Sequence, residues 1–400
     1  SIPYFQTIDG NVKDGFPANP ALWTENRYNY EASKYSGEKT FNEYVTAYYW
    51  QLQGKLGREG FLHRLGYLAG IRWENVRDKG IVYVQAPTSK RSTTAEQNAD
   101  PVAAAAKDYG NGRRITFGNY WQNFPSVHSF YDITPNLKVR GSYSTSYGRP
   151  SVGNLQPGES VDETNLRVTV NNPSLKPQRA TNWDTTLEYY FEPVGSITVG
   201  WFHKDIKDYI NNNQIIGTVA AGNDNGFLGQ YSGYELRSSL NGGTLTIQGW
   251  EFGYNQQFTF LPGILKGLSG NANYSRTDTH GYSTGTVYQS SGDIAGFIPW
   301  VYNVGLNWRY RKFGVRAQYN HTASYMTGNS TDPNLRQYRY AAETLQGGIS
   351  YQYKPAMAFT VDVQNAIGHD QRWYKGSKAN GLNRITDNFI TLTLGVNGRF

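Results

Sequence analysis

Polar and apolar residues alternate one for one along much of this chain. From Ile390 to Phe400 the even positions are Ile390, Leu392, Leu394, Val396, Gly398 and Phe400, and the odd ones are Thr391, Thr393, Gly395, Asn397 and Arg399. A period of two puts alternate side chains on opposite faces of an extended strand, one face apolar and the other polar. The pattern recurs upstream. In 44–56, Tyr44, Tyr48, Trp50, Leu52 and Leu56 oppose Tyr49, Gln51, Gln53 and Lys55; in 65–74, Leu65, Tyr67, Ala69, Ile71 and Trp73 oppose Arg64, Arg72 and Glu74. The stretches 183–191, 250–260, 302–310, 313–320 and 357–364 behave alike. Together they predict about thirteen strands joined as hairpins.

The connections sort by length. Short ones fall near 57–61, 134–136, 192–195, 262–267, 310–312 and 354–356, and Pro or Gly marks most of them. Long ones span roughly 77–117, 149–179, 210–230, 280–296, 326–338 and 366–384. Short turns on one side and long polar loops on the other predict an all-β fold, an antiparallel transmembrane β-barrel. A soluble β-sandwich also alternates. Its core would draw on Val, Ile and Leu, whereas Tyr and Trp gather here at strand ends, and its loops would not divide by side.

Composition supports the barrel. The chain of 400 residues has 32 Tyr, 18 Phe, 10 Trp and 44 Gly, yet only 38% hydrophobic residues. That suits a wall one residue thick, wet inside, with interfacial aromatics outside. No run of about 18 apolar residues offers a membrane helix. With no Cys there is neither a disulfide framework nor a thiolate metal site. The net charge of +7 is scattered without a polybasic block, which speaks against nucleic acid as a partner.

Asn172–Phe191, NPSLKPQRATNWDTTLEYYF, resembles a characteristic segment of TonB-dependent outer-membrane receptors, with Gln178 where that family usually carries Glu. Gly195–Ile210, Leu261–Ser275, Ile298–Tyr310, Val361–Tyr374 and the terminal LGVNGRF are similar to other parts of the family's barrel, so that the resemblance covers about 40–400. It implies a 22-stranded barrel closed by a plug, with a TonB-box peptide that engages the TonB complex of the inner membrane. Phe400 resembles the signal read by the barrel assembly machinery, which would place the carboxyl terminus in the periplasm. An odd strand count then puts the start of the chain outside. Residues 1–40 are accordingly expected as an extracellular loop segment, and 41–400 as the carboxyl-terminal part of the barrel, without the plug and about nine earlier strands. Outer-membrane lipid, lipopolysaccharide included, would surround it, and an accessory surface lipoprotein is a further partner the resemblance allows.

The implied function is energised import of a scarce large ligand: a ferric siderophore, cobalamin or an oligosaccharide. The alternative is a passive porin or structural barrel without a plug. Enzyme chemistry finds little footing. Gly281-Tyr282-Ser283-Thr284-Gly285 fits the nucleophile-elbow spacing, but that motif needs a strand-turn-helix setting, and this stretch lies in a polar loop. The six His residues show no zinc spacing, and Asn223-Asp224-Asn225 lacks the EF-hand frame and suits a turn. No metal or cofactor is expected. What remains is binding. Arg113, Arg114, Tyr120 and Trp121 form one loop group, and Arg372, Trp373, Tyr374 and Lys375 another; aromatic faces stack on sugars or chelates, and guanidinium groups meet carboxylates. Lys138, Arg140, Arg309 and Arg316 are expected to face the lumen, with Glu188, Glu251 and Asp362 as acidic partners.

Overall fold

The computed structural model describes residues 26–86, 90–110, 112–156, 158–192, 194–227, 229–282, 294–328, 333–368 and 370–398. Ser283, Thr284, Gly285, Arg399 and Phe400, each named above, lie outside them, as does His369, one of the six His residues. Alternating segments become strands, and the residues between them become turns. A helix, α1 (Arg27–Ser36), precedes β1 (Lys39–Lys55) and β2 (Leu65–Tyr83). Two short helices, α2 (Thr94–Ala99) and α3 (Pro101–Tyr109), lead to β3 (Arg113–Thr134) and β4 (Leu137–Gly148). Then come α4 (Val152–Leu155), β5 (Glu159–Asp162), β6 (Arg167–Val170), β7 (Gln178–Phe191), β8 (Gly195–Lys207), β9 (Ile210–Thr218) and β10 (Glu235–Asn241). β11 (Thr244–Gln257), β12 (Leu268–Tyr282), β13 (Trp300–Tyr310) and β14 (Phe313–Thr322) follow. The chain closes with β15 (Tyr325–Gly328), β16 (Gln337–Arg339), β17 (Ala342–Lys354), β18 (Met357–Ile367), β19 (Asp370–Lys375), β20 (Leu382–Asp387) and β21 (Thr391–Gly398).

Thirteen of these form one antiparallel sheet in the order β1-β2-β3-β4-β7-β8-β11-β12-β13-β14-β17-β18-β21, the number predicted. Every neighbour is also the next wall strand in the chain, so the sheet is an up-and-down meander. β1 and β21 lie at its two edges, each with one partner among the described residues. The short connections are tight. Between β3 and β4 the Thr134 hydroxyl accepts from the backbone N–H of Asn136 and Leu137, at 3.3 and 3.0 Å.

Cross-strand register keeps the two faces apart. On one, Tyr48 opposes Trp73, Trp50 opposes Ile71, Val139 opposes Leu187, and Leu306 opposes Ala317. On the other, Asn307 opposes Arg316, Lys138 opposes Glu188, and Asp362 opposes Thr393. The apolar face is bare: Trp50 is 57% exposed, Leu306 50%, Ile349 55% and Leu394 73%. A soluble protein would cover such a surface, and a bilayer supplies the cover here. β2 and β3, at 19 and 22 residues, exceed the roughly 9–11 needed to cross hydrocarbon, so both project beyond it.

Buried apolar side chains gather almost wholly at the long-loop end, in three small cores. Ala32, Val76, Val82, Ala104 and Ala105 pack where α1 and α3 meet the wall. Val168, Leu175, Val219 and Leu245 underlie a four-stranded sheet, β5-β6-β10-β9, built from two successive long loops. Ala323, Met326 and Tyr374 underlie a second, β15-β16-β19-β20, built from another two. This departs from the irregular loops expected. The 77–117 connection shortens to 84–112 because β2 and β3 continue to pair as far as Tyr83 and Arg113. Four of the other long connections, those near 149–179, 210–230, 326–338 and 366–384, gain strands because backbone groups that cannot reach the wall pair with the next loop instead. The end of segment 1–40 likewise holds α1, and the wall begins two residues earlier than position 41.

Candidate functional site

The polar face carries charges in partnership. Arg140 on β4 meets Glu188 on β7 at 2.7 Å, and the Tyr190 hydroxyl donates to the same carboxylate at 2.9 Å. Lys138 reaches Asp132 at 3.4 Å, and both it and Arg140 stand over the Phe130 ring. Arg316 on β14 meets Asp362 on β18 at 2.7 Å. For Arg309 and Glu251 no ion pair is seen among the described residues. Near the short turns, a concavity of about 760 Å³ gathers Lys266, Arg309 and Arg316 with Asp362. Three cations to one carboxylate make it a basic patch of the inner wall.

Higher on this face lies a cluster centred on Arg149, a residue the sequence reading did not single out. Its guanidinium pairs with Glu43 of β1, donates to the Tyr147 hydroxyl at 2.8 and 2.6 Å, and lies 3.8 Å from Glu74 of β2. Tyr147 in turn donates to Glu74 at 2.8 Å, and Arg72 binds the other oxygen of Glu74 at 2.6 Å. The start of the loop after β4 is thereby tied to the first two strands of the sheet. Nothing local in Tyr147-Gly148-Arg149 announces this, since its partners are about 70 to 100 residues away.

At the long-loop end the predicted binding residues are distributed by strand geometry. Arg113, Arg114, Tyr120 and Trp121 lie on β3, not in a loop. The ladder continues through them, with Tyr120 opposite Val76 and Trp121 opposite Asn75. Neighbours in a strand face opposite ways, so Tyr120 and Trp121 are divided between the two faces, and Trp121 is 63% exposed. The same rule splits Arg372, Trp373 and Tyr374 on β19. Trp373 is flanked by Arg384 at 4.1 Å and Arg339 at 6.0 Å, a cation–aromatic stack. Tyr374 is buried on the other face, stacked on Tyr338 with ring centres 5.1 Å apart. Arg372, on the face of Tyr374, is held by Asp370. Tyr338 and Tyr374 line a pocket of about 520 Å³ with Met326, Ser324, His280 and Lys378, between the second loop sheet and the upper end of β12.

The helical part of this end is locked by one carboxylate. Asp108 of α3 accepts from the Tyr28 hydroxyl of α1 and from the backbone and hydroxyl of Ser92, at 2.6 and 2.8 Å. Burial alone would raise the Asp108 carboxyl; the bonds from Tyr28 and Ser92 outweigh it and hold the group below its ordinary value. Burial, together with the bond to Asp108, pushes Tyr28 up to about 12. The helices had a legible signal. Thr93 and Glu96 form a reciprocal capping box, and Asp100-Pro101 caps a run of four alanines.

A meander sheet with a bare apolar outer face, charges paired on its inner face and loops folded at one end defines the wall of an integral β-barrel. The chain belongs to the TonB dependent receptor-like, beta-barrel family, whose model matches residues 4–366. It is 26% identical over 158 residues to the iron-regulated outer membrane virulence protein of Vibrio cholerae, a match covering 37% of this chain and 23% of that protein. Among solved structures, the ferric-catecholate import receptor Fiu of E. coli superposes with a TM-score of 0.60 at 15% identity, over 90% of this chain and 45% of Fiu. The FrpB iron transporter of Neisseria meningitidis superposes with a TM-score of 0.54 at 13% identity, over 91% of this chain and 45% of FrpB. At such identities the likeness is one of fold. The chain spans about half the length of these solved relatives, and the curated match covers under a quarter of the Vibrio protein.

Proposed function

We propose that the chain is the carboxyl-terminal part of an outer-membrane receptor that imports a ferric chelate in a step energised by the TonB complex. The observation that carries this is the division of labour along the wall. One face is apolar up to a polar seam near the long loops, the other holds paired charges, and the long loops are folded into sheets and helices at one end. A conduit needs no such folded end, whereas a receptor does. The names of the Vibrio, E. coli and Neisseria relatives, two of iron transport and one of iron regulation, favour iron over the other ligands this architecture carries.

In this reading further strands pair with the open edges of β1 and β21, because an unpaired edge in hydrocarbon leaves orphan groups costing several kcal/mol each. A plug within the closed barrel meets the basic patch of Lys266, Arg309 and Arg316. The short turns, with the carboxyl terminus, face the periplasm, and the long loops face outward. The ligand lands on the loop sheets. Tyr338, backed by the buried Tyr374, offers aromatic surface, and Trp373 with Arg339 and Arg384 offers charge for an anionic chelate. Arg113 and Trp121 on one face of the projecting part of β3, with Arg114 on the other, are further candidate contacts. The reading is of a receptor and invokes no covalent step.

The test is uptake of radiolabelled ferric siderophores by cells carrying the full-length gene, its deletion, or a deletion of the energy coupler. Uptake should need both genes, while surface binding should need only the receptor. Y338A should weaken binding about tenfold, the scale of one lost aromatic contact. Uptake indifferent to the coupler, with a steadily open channel from the purified full-length protein, would show a passive porin instead.

A further inference from the structure

On the outer face of β12 the side chains run Leu268, Gly270, Ala272 and Tyr274, then turn polar at Arg276, Asp278 and His280. The same change falls between Trp201 and His203 on β8, between Trp250 and Gln248 on β11, and between Tyr319 and His321 on β14. This seam is where hydrocarbon gives way to headgroups. Arg276 stands on it, directly opposite Trp250 on one side and Trp300 on the other. Its side chain is 62% exposed, and the ion pair it makes, with Asp278, is long at 3.8 Å.

The wall beside Arg276 is rigid. Trp300 lies parallel to His321 with ring centres 4.6 Å apart, and His321 lies parallel to Tyr302 at 4.9 Å. Three plates are thus stacked on the outside of the barrel. Glu343, 3.4 Å from His321, borders the stack on its far side. An exposed guanidinium on a lipid-facing seam, flanked by two indoles and answered among the described residues by a carboxylate 3.8 Å away, has donors to offer. A guanidinium fork matches a phosphate with two parallel hydrogen bonds, and indoles favour the headgroup level.

We propose that Arg276, between Trp250 and Trp300, binds the phosphate of an outer-leaflet glycolipid headgroup. Asp278 then yields its contact with the guanidinium to the phosphate oxygens, and the indoles cover the sugar and the first methylenes of the lipid. The inference rests on the outer-membrane reading above but not on the identity of the imported ligand.

The test is native mass spectrometry of the full-length receptor in a neutral detergent, titrated with diphosphoryl lipid A, with the same lipid stripped of phosphate, and with inorganic phosphate. The wild type should hold one diphosphoryl lipid, and R276Q should hold it about tenfold less tightly, as loss of a charge-assisted bond implies. R276K, which keeps the charge but not the fork, should fall between. R309Q, on the inner face, should match the wild type. Should R276Q fail to show the heat-modifiable mobility of a folded barrel, R276K and W300A carry the comparison. Equal retention by the wild type and R276Q, equal retention of the dephosphorylated lipid, or displacement by millimolar inorganic phosphate would each overturn the proposal. Import is read separately. R276Q should still transport, so absence of lipid with intact import overturns this inference alone, and lipid loss on R276Q without any coupler-dependent import overturns only the transport reading.

Discussion

Arg316 and Asp362 join side chains across a strand that lies between them. Arg316 is on β14, Asp362 on β18, and the residue paired with both is Gly348 of β17. A Cβ at 348 would fall 2.1 Å from the Asp362 carboxylate and 3.2 Å from the Arg316 guanidinium. The glycine leaves the passage open. Gly348→Ala should therefore part the pair and lower stability by about 1 kcal/mol at most, since Arg316 is well exposed. Urea unfolding of the full-length protein in micelles, with Gly348→Ala made alone and on an Asp362→Ala background, measures it. The substitution should be nearly silent in that background; an unchanged effect would assign the cost to the backbone instead.

The docking of α1 on α3 should depend on pH at both extremes. Asp108 is held below its ordinary value, so its contribution is present above the unfolded pKa and is lost as pH falls through the lower, folded one. Tyr28 is raised from 10.0 to about 12, so its contribution is complete below pH 10 and is lost as pH rises toward 12. Protection of 27–36 against hydrogen exchange, taken relative to the free-chain rate at each pH, should stay constant from pH 5 to about 9, extrapolating from ordinary carboxyl and phenol values. Asp108→Asn should quicken exchange in 27–36 and 92–109 at neutral pH while leaving β12–β14 unchanged. Uniform quickening would mean that the helices are not a separate unit.

The two faces of β21 should respond oppositely to charge. Leu394 is 73% exposed on the apolar face, and Thr393 lies beside it on the polar face. Leu394→Arg should cost about 2–4 kcal/mol, as at the bilayer midplane, and Thr393→Arg little. Folding yield of the full-length protein into lipid vesicles distinguishes them. Similar yields from both variants would undo the assignment of lipid to the Leu394 face.

Arg149 should matter more than an exposed cation does. Removing it leaves Glu43 and the nearly buried Glu74 beside each other with Arg72 as the remaining cation. Arg149→Met should destabilise the upper wall by about 1–2 kcal/mol, more than an exposed pair but less than a fully buried one, because Arg72 still faces Glu74. Glu74→Gln in the same protein should recover part of the loss. Thermal unfolding followed by circular dichroism in micelles checks both, and no recovery would place the role of Arg149 elsewhere.

The wall was legible because each of its strands states its own solution. Ile390–Val396 needs no other part of the chain to show which residues face oil, since a period of two is a local property of an extended backbone. Loop lengths set the hairpin order for the same reason. The binding groups were less legible. Trp373 and Tyr374 are adjacent in the sequence, and only the strand β19 sends one to Arg384 and the other to Tyr338. Tyr120 and Trp121 read as loop residues until the register of β2 with β3 draws them into the wall.

By itself, then, the sequence determined the solvent, the strand count and the hairpin order, because alternation and turn chemistry act within a few residues. Only the tertiary structure decided that loops some forty to seventy residues apart share sheets, that Tyr28 meets Asp108, and that Arg149 binds Glu43. These contacts join groups whose separation along the chain carries no periodic trace. They form because backbone and side-chain polar groups beyond the wall must find partners, and the partners nearest in space are set by how the meander curves.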